Sequence, residues 1–381
     1  MTHPDADVQM LASALDLDPG GVSILSREPL GTGSVTGMQM QGDERLLYYL
    51  DTSGLSVRAE TGLVSVDGSR PTRIWQHPAD PHLPALAPVA FENAADTLLG
   101  RLGLRAAGSP EMVAYRPGRR AVLRVATGDH DVWLKVVRPS RVERIVRAGE
   151  AAASAGIPVP LVHGWSEKGL IVMAGADGRP AAEVEWEPRE LLDQVDVLRT
   201  RLAQATWDHR SAGILGRVDW YATRGDDRVA AVLADAQRLL GASADEPQVA
   251  VVHGDLHFGQ LFLGGEGITG VIDVDTLALG DIAEDPAAFL SHAIASALLT
   301  RGDRGDRVWA LADLASQRWG TDTRVRGLAL IHLAGHMIAA QERGEDDRVA
   351  GLGNAARALA AGIAPSGAAP KNALIDNFES P

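Results

Sequence analysis

The sequence predicts an α+β fold in which a strand-rich part precedes a helical part, with a further strand-rich segment at the N-terminus. Short segments of apolar and polar residues, separated by Gly, Asp and Ser turns, dominate up to about residue 175. From about residue 187, apolar residues recur at three- and four-residue spacings, which indicates amphipathic helices. A Pro-rich connector, HPADPHLPALAP, separates two strand-rich blocks.

Length and composition limit the class of protein. At 381 residues the chain is too long for one ordinary core, and 45% apolar with 23% charged residues is a globular composition. The net charge of −14 argues against a nucleic-acid partner, because phosphate backbones are bound by clustered Lys and Arg. The absence of Cys excludes disulfides and thiolate metal sites. With no leader-like N-terminus and no apolar run approaching about 18 residues, we expect a cytoplasmic protein without membrane association.

The N-terminal third predicts a small sheet domain. A short amphipathic helix is expected over residues 5–16, followed by a mostly antiparallel sheet over 20–77. Four prolines then exclude a long helix or a central strand and mark a domain boundary; they are Pro78, Pro81, Pro84 and Pro88. A helix, ENAADTLLGRLG, follows the connector.

The rest of the chain predicts two further parts and a tail. The second strand-rich block contains MVAYRPG, RRAVLRVAT and DVWLKVVRP, then a helix over 140–155 and the strand GLIVMAG. The helical part is interrupted only over 248–275, where QVAVVHG and GITGVIDVD predict two short strands. The tail from residue 364 is rich in Ala, Pro and Gly, and we expect it to be poorly ordered.

The stretch VHGDLHFGQLFL carries the strongest chemical signal. Residues 249–252 form an apolar strand that ends at His253, Gly254 and Asp255, so the Asp255 carboxylate has a rigid support. Such a carboxylate can orient a substrate hydroxyl and accept its proton as it attacks a phosphoryl donor. The alternative is that His253 and His257 bind zinc with Asp255, but the sequence offers no clear remaining ligands.

Oxygen ligands for Mg²⁺ follow in the same segment. Gln260 offers an amide oxygen. Residues 270–275 are expected to form a strand in which Asp273 and Asp275 share one face, about 6–7 Å apart. We therefore predict Gln260, Asp273 and Asp275 as metal ligands, against the alternative that the two aspartates are a solvated strand end.

Lys135 is the predicted cation for a nucleotide phosphate. It lies within the apolar strand DVWLKVV, where an unpaired ammonium group would be costly. Its partner is expected on the next helix and is either Glu143 or Glu150, of which Glu150, at the start of EAAASAGIPVP, is preferred. A surface position on an edge strand is the alternative for Lys135.

Together these motifs resemble the aminoglycoside phosphotransferase and choline kinase superfamily. The resemblance rests on YRPGRRAVLRV with WLKVV, AGIPVPLV, HGDLHFGQLF and GVIDVDT with GDIAEDPAAF, and spans about residues 112–290. It implies a two-lobed, protein-kinase-like fold and transfer from ATP with Mg²⁺ to a hydroxyl of a small molecule. The resemblance implies that Asp255 is the catalytic base, that Gln260 and Asp273 bind Mg²⁺, and that Lys135 contacts the α- and β-phosphates. It also implies that Met173 and Ala174 lie in the hinge that receives adenine. Asp281 and Asp285 would brace the catalytic loop.

One residue differs from the usual motif of the superfamily and indicates which of its members this chain resembles most. Most such kinases have Asn where this chain has Gln260, and HGDLHFGQ is similar to bacterial maltokinases and glucosamine kinases, which carry an N-terminal cap domain. The implied domains are a cap over 1–105, an N-lobe over 106–175, a C-lobe over 176–363 and a tail over 364–381. The implied acceptor is a sugar, amino sugar or aminoglycoside-type compound, and the alternative is a pseudokinase that binds nucleotide or ligand without catalysis. Oligomeric state stays open.

Several further residues have two interpretations each. GTGSVTG at 31–37 resembles a phosphate loop but lies about a hundred residues before Lys135, so an ordinary turn is favoured and RPGRR at 116–120 is the better candidate. His253 is expected to hydrogen-bond the catalytic loop. The histidines at 332 and 336 share a helix face and are expected to be satisfied core residues.

Overall fold

The structure, a computed structural model, describes residues 5–65, 71–128, 130–243, 246–265 and 267–365. Most of the predicted tail, residues 366–381, lies outside this part. The chain forms two compact units, Met1–Arg147 with Pro160–Gly175 and Ala148–Val159 with Ala176–Pro381. Strands dominate the first unit and helices the second, which confirms the predicted α+β class.

The first unit begins with a short helix and an antiparallel sheet, as predicted. Helix α1 (Ala6–Leu15) starts after Asp5, whose side chain accepts a hydrogen bond from the backbone amide of Asp7. The sheet has the strand order β1-β2-β3-β5-β4. Its strands are β1 (Val22–Leu30), β2 (Gly33–Met40), β3 (Asp43–Asp51), β4 (Leu63–Ser65) and β5 (Thr72–Gln76). Leu11 of the helix packs with the sheet residues Met38 and Leu50 in one buried cluster.

A second antiparallel sheet completes this unit. Its order is β6-β7-β8-β10-β9. The elements are α2 (Leu86–Ala90), α3 (Glu92–Gly100), β6 (Glu111–Arg116), β7 (Arg120–Ala126), β8 (Asp131–Val137), β9 (Val162–Ser166) and β10 (Leu170–Ala174). Alternate residues of β7 are buried, so one face of the sheet packs on the apolar cluster that includes Leu86 and Leu99. Helix α4 (Pro139–Ser154) runs from the first unit into the second.

The Pro-rich connector joins the two sheets through buried polar groups. Asp80 is almost fully buried and accepts hydrogen bonds from the Gly118 amide at 2.7 Å and the Tyr115 hydroxyl at 2.9 Å. His82 pairs with Asp51 of β3, with 2.8 Å between Nε2 and Oδ2. Buried groups satisfied in this way fix the connector rather than leaving it as a loose linker.

The second unit is mainly helical. Its helices are α5 (Pro188–Leu202), α6 (Val218–Arg224), α7 (Asp227–Ala242), α8 (Glu284–Ala297), α9 (Gly302–Trp319), α10 (Thr323–Gln341) and α11 (Asp346–Ala360). Helices α8 and α10 are buried along most of their length and form the centre of the apolar core. Among the residues that the structure describes, no helix is long and apolar enough to span a membrane.

Short strands in the second unit hold the segment 248–281. Strand β12 (Val249–Val252) pairs with β15 (Ala278–Asp281), whereas β14 (Gly267–Val271) pairs with β13 (Leu261–Gly264), which also pairs with β11 (Arg179–Pro180). The two strands predicted in this segment are therefore present, but they belong to separate sheets and three further strands accompany them.

The glycine-rich stretch at 31–37 is a turn followed by strand, which confirms the interpretation favoured from its position. Gly31 has φ +55° in the turn between β1 and β2, and residues from Gly33 onward belong to β2.

Candidate active site

The loop after β12 is held in place by a carboxylate of helix α8. Asp285 is buried in the first turn of the helix, and its two oxygens accept hydrogen bonds from the His253 amide at 3.0 Å and the Gly254 amide at 2.8 Å. Gly254 has φ +82°, a conformation that side-chain-bearing residues rarely adopt. Asp285 thus braces the loop as the resemblance implied, and the next residue, Asp255, is presented from a fixed backbone.

Asp255 is ionised at neutral pH and has one close histidine partner. The His292 Nε2 atom of α8 lies 3.5 Å from the Asp255 Oδ1 atom. Burial by itself would raise the pKa of Asp255, but the hydrogen bond to His292 and the positive charges that His292, His257 and His332 carry when protonated outweigh it and lower the pKa to about 2. The carboxylate is therefore available as a hydrogen-bond acceptor at neutral pH.

The expected role of the His253 side chain is wrong. The ring is fully buried, and neither ring nitrogen has a hydrogen-bond partner within the described residues. Because Asp285 already holds the loop through two backbone amides, the loop does not depend on a hydrogen bond from this ring.

Gln260 and the segment before Asp273 are brought together by the backbone. Gln260 ends the 3₁₀ turn Phe258–Gln260, and its carbonyl oxygen accepts a hydrogen bond from the Ile272 amide at 3.0 Å. Its side-chain Oε1 accepts a hydrogen bond from the His257 amide at 3.1 Å, which fixes the orientation of the amide. The amide oxygen of Gln260 and the carboxylate of Asp273 are hard oxygen donors of the kind Mg²⁺ accepts.

The predicted strand over 270–275 is wrong in its second half. Strand β14 ends at Val271, and Asp273 adopts a left-handed backbone with φ 58° and ψ 38°. Asp275 then lies in the 3₁₀ turn Val274–Thr276. A left-handed residue ends extended backbone, so the alternation expected to place Asp273 and Asp275 on one strand face does not apply. The role of Asp275 as a ligand stays a prediction.

Asp281 does not contact the catalytic loop in the way that Asp285 does. It forms an ion pair with Arg324 of α10 and accepts a hydrogen bond from the Ala283 amide at 3.1 Å. Its carboxylate therefore ties the end of β15 to the helices, which corrects the role implied by the resemblance.

Three histidines that the catalytic motif does not contain, His292, His332 and His336, form a cluster beside Asp255. The His292 ring stacks on the His257 ring, with 4.4 Å between their centroids, and meets the His336 ring edge-on at 4.6 Å. The centroid of the His332 ring lies 6.3 Å from that of His292. His332 and His336 were expected to be satisfied core residues, but the buried His332 Nε2 has no hydrogen-bond partner in the described part of the chain. Burial lowers the pKa of His332 and of His336 to about 3, so both rings are neutral. The spacing of these two signalled a shared helix face, whereas nothing in the sequence marked His292.

Of the predicted nucleotide residues, Lys135, Met173 and Ala174 lie in the first unit, whereas Glu150 lies in the second. Lys135 is buried in β8, opposite Val122 and Ile171 of the neighbouring strands, and takes part in a polar or electrostatic interaction. An edge-strand position for Lys135 is therefore wrong. Glu143 and Glu150 are both exposed on one face of α4, since seven residues make nearly two helical turns. The choice between them stays a prediction.

The predicted hinge and phosphate-loop residues have defined places in the second sheet of the first unit. Met173 and Ala174 are the partly exposed last residues of β10, where that unit ends. RPGRR forms the turn between β6 and β7, and Gly118 there has φ +65°. The Gly118 carbonyl accepts a hydrogen bond from the Arg138 Nε at 2.6 Å, and Arg119 hydrogen-bonds the Pro29 carbonyl. This turn is consequently fixed by Arg138, which directly follows β8, and by Pro29 of the first sheet.

Solved phosphotransferases share the fold of this chain. A thermostable mutant of aminoglycoside phosphotransferase APH(4)-Ia in its apo form is 18% identical, with 69% of this chain and 97% of that chain covered and a TM-score of 0.53. A variant of the same enzyme in ternary complex with AMP-PNP and hygromycin B is 16% identical, with coverages of 71% and 98% and a TM-score of 0.53. The amicoumacin kinase hAmiN, in complex with AMP-PNP, Ca²⁺ and Ami, is 12% identical, with coverages of 71% and 94% and a TM-score of 0.51.

These likenesses confirm the predicted kinase-like fold and leave part of this chain outside the match. No curated protein matches the chain by sequence. The model of the phosphotransferase enzyme family matches residues 115–328, more than half of the chain and a range that contains Lys135, Asp255, Gln260 and Asp273. The chain therefore belongs to the phosphotransferase enzyme family.

Proposed function

We propose that this enzyme transfers the γ-phosphoryl group of ATP, in the presence of Mg²⁺, to a hydroxyl of a sugar, an amino sugar or an aminoglycoside-type compound. The observation that carries this proposal is the ionised Asp255 carboxylate, presented by a loop that Asp285 holds through two backbone amides. The family match supports phosphoryl transfer as the reaction class.

Asp255 acts mainly by orientation. The acceptor hydroxyl donates a hydrogen bond to the carboxylate, which aims the oxygen lone pair at the γ-phosphorus. The new bond forms between the acceptor oxygen and phosphorus as the bond to the bridging oxygen of the nucleoside diphosphate breaks. A carboxylate with a pKa of about 2 is a weak base, so it receives the proton late, once the attacking oxygen has lost electron density to phosphorus.

The Gln260 amide oxygen and the Asp273 carboxylate would hold Mg²⁺, with Asp275 as a further proposed ligand. The fit rests on their hard oxygen donors and on the Ile272–Gln260 hydrogen bond that brings the two segments together. When bound, the ion would neutralise negative charge on the phosphates. Lys135 would contribute a second positive charge to the α- and β-phosphates, and Met173 with Ala174 would contact adenine.

The acceptor class is supported by two observations of different kinds. One structural neighbour was solved in complex with hygromycin B and another in complex with Ami, so both of those proteins bind a small molecule. The net charge of −14 favours a neutral or cationic acceptor over an anionic one.

Transfer of label from γ-³²P-ATP to a panel of sugars, amino sugars and aminoglycosides tests the proposal. We expect Mg²⁺-dependent transfer to at least one acceptor and greatly reduced transfer with Asp255→Asn, which has the same shape but no negative charge. If the protein binds ATP but transfers label to no acceptor of the panel, it is a pseudokinase instead.

A further inference from the structure

Asp255 sits beside more histidines than an orienting carboxylate requires. The histidine cluster consists of His257, His292, His332 and His336, and the last three come from the buried helices α8 and α10. Phosphoryl transfer as proposed above uses the Asp255 carboxylate but gives none of these rings a part in the reaction, so they are available for another role.

Three donor atoms of this region converge on one point. Asp255, His292 and His332 each offer one ligand atom, and these atoms lie within 4.8 Å of one another. The Asp255 Oδ1 and His292 Nε2 atoms are 3.5 Å apart. Ligands at about 2.0–2.1 Å from a tetrahedral ion are separated by roughly 3.3–3.5 Å, so this pair already has the required spacing. His332 would have to approach the other two ligands by up to about 1.4 Å to reach the same spacing.

His332 has a donor atom that lacks a partner. The residue is only 8% exposed, and its Nε2 has no hydrogen-bond partner among the residues that the structure describes. A buried nitrogen of this kind is costly to leave unsatisfied, by about 1–3 kcal/mol. A cation bound by the ring would remove that cost.

We propose that Asp255, His292 and His332 form a site for a transition-metal ion of the Zn²⁺ class, and that the bound ion inhibits the enzyme. Imidazole nitrogens favour Zn²⁺ and its neighbours over Mg²⁺, which prefers oxygen ligands, so this site differs from the one assigned to Gln260 and Asp273. Two histidines and one carboxylate leave the fourth position to water. The ion occupies the Asp255 lone pair that would accept the hydroxyl proton, so transfer stops. The binding half of this inference is independent of the proposed function, and the inhibition half rests on it.

Metal binding is measured first, on the full-length, metal-free protein in excess Mg²⁺. We expect calorimetry with Zn²⁺ to give one site per chain, and Co²⁺ to give the intense visible absorption of a four-coordinate, imidazole-ligated ion. His292→Gln and His332→Gln should each weaken Zn²⁺ binding at least about tenfold. His336→Gln removes a ring from the same cluster and should leave binding unchanged, while Asp273→Asn should retain it because it alters only the Mg²⁺ ligands. Circular dichroism of each variant establishes that it is folded.

Inhibition is measured second, with the best acceptor from the panel. Zn²⁺ should inhibit the wild type and His336→Gln, and a chelator should restore their activity. Inhibition of His332→Gln should require a Zn²⁺ concentration at least about tenfold higher. Equal Zn²⁺ binding by the wild type and both ligand variants, or binding that is lost in Asp273→Asn, overturns the site. Zn²⁺ binding as expected without any phosphoryl transfer would instead contradict the proposed function and leave the site standing. If Zn²⁺ binds to the site but does not slow phosphoryl transfer, the inhibitory role is overturned.

Discussion

At the scale of single residues, Asp255 combines a low basicity with a fixed position. Its pKa of about 2 makes it a poor proton acceptor in the ground state, and its bracing makes it a good orienting group. The loose transition state of phosphoryl transfer demands orientation and charge more than a strong base. The arrangement therefore suits transfer to a hydroxyl, whose proton becomes acidic only as the new bond forms.

Replacement of Asp255 by Asn should separate catalysis from nucleotide binding. The amide keeps the shape but cannot accept the proton, so we expect kcat to fall by about 10²–10⁴-fold. The ATP affinity should change less than about twofold, because Asp255 is not among the residues assigned to the nucleotide or to Mg²⁺. Steady-state kinetics and calorimetric titration with ATP measure the two quantities. Wild-type kcat in this variant would remove Asp255 from the mechanism.

Asp285→Asn should damage the same step from a distance. An Asn side chain has one acceptor oxygen, so one of the two loop amides loses its partner at a cost of about 1–3 kcal/mol. We expect kcat to fall while the KM for ATP is retained, since the loop that presents Asp255 is loosened. Asp281→Asn is the matched control: it weakens the ion pair with Arg324 and should lower the melting temperature without a comparable loss of kcat. Equal effects of the two variants on kcat would contradict the bracing role.

The sequence identified the residues whose roles depend on short spacing. The ordered motifs predict Asp255, Gln260 and Asp285; the hydrogen bonds of Asp285 to the loop confirm its bracing role, whereas the roles of Asp255 and Gln260 stay predictions. His292 was not found, since its proximity to Asp255 arises from packing of α8 and leaves no mark in the spacing. The left-handed conformation of Asp273 was also missed, because alternation of residue types cannot show where a strand ends.

At the scale of elements, long periodic segments are predictable, whereas of the three four-residue strands β12, β13 and β15 only β12, whose residues are all apolar, is predicted. The helix expected over 140–155 corresponds to α4, and the apolar spacing from about residue 187 predicts the helical part that contains α5 and α7 to α11. Strands β13 and β15 are only four residues long, which is too short for a periodic signal, and their partners are set by tertiary packing. The pairing of β12 with β15, which positions the catalytic loop against α8, therefore could not be read from the chain.

Helix α8 begins with a carboxyl group that destabilises the folded state at neutral pH. Glu284 is buried, and its burial together with the nearby Asp285 and Asp281 raises its pKa to about 7 from an ordinary value of 4.5. The folded state therefore binds more protons than the unfolded chain between these two values. It follows that the contribution of Glu284 to stability falls as the pH rises through this window and is constant above it.

Glu284→Gln should remove this pH dependence. The variant should gain about 1–3 kcal/mol in unfolding free energy relative to the wild type between pH 5 and pH 8, because Gln has no proton to lose. Urea unfolding at the two pH values measures the difference. The control is Glu183→Gln, which changes an exposed glutamate and should give the same small difference at both pH values. A Glu284→Gln effect that is independent of pH would show that the pKa of Glu284 is not raised in the folded state.

At the scale of the whole molecule, the order of strand-rich and helical parts was predictable, and the way the N-terminal parts join was not. The Pro-rich connector predicted a boundary, but it contains Asp80 and His82, which link the two sheets of the first unit through buried hydrogen bonds. Both partners of each bond are distant in sequence, so composition alone gives no hint of them. Whether the first sheet acts as a cap stays a prediction.

Ligand-linked stability provides a test of the assigned nucleotide and metal residues on the intact protein. A ligand that binds only the folded state adds about 2.7 kcal/mol of stability when present at a hundred times its dissociation constant. We therefore expect ATP with Mg²⁺ to raise the melting temperature by several degrees in the wild type and in Asp255→Asn, since neither the nucleotide nor the metal is assigned to that carboxylate. In Asp273→Asn, ATP alone should still stabilise the protein, but the additional shift on adding Mg²⁺ should be lost, because the ion has lost a carboxylate ligand. Lys135→Ala should lose most of the shift with ATP itself, so the three variants separate the acceptor, metal and phosphate roles in one thermal measurement. A full Mg²⁺-dependent shift in Asp273→Asn would show that the ion is bound elsewhere.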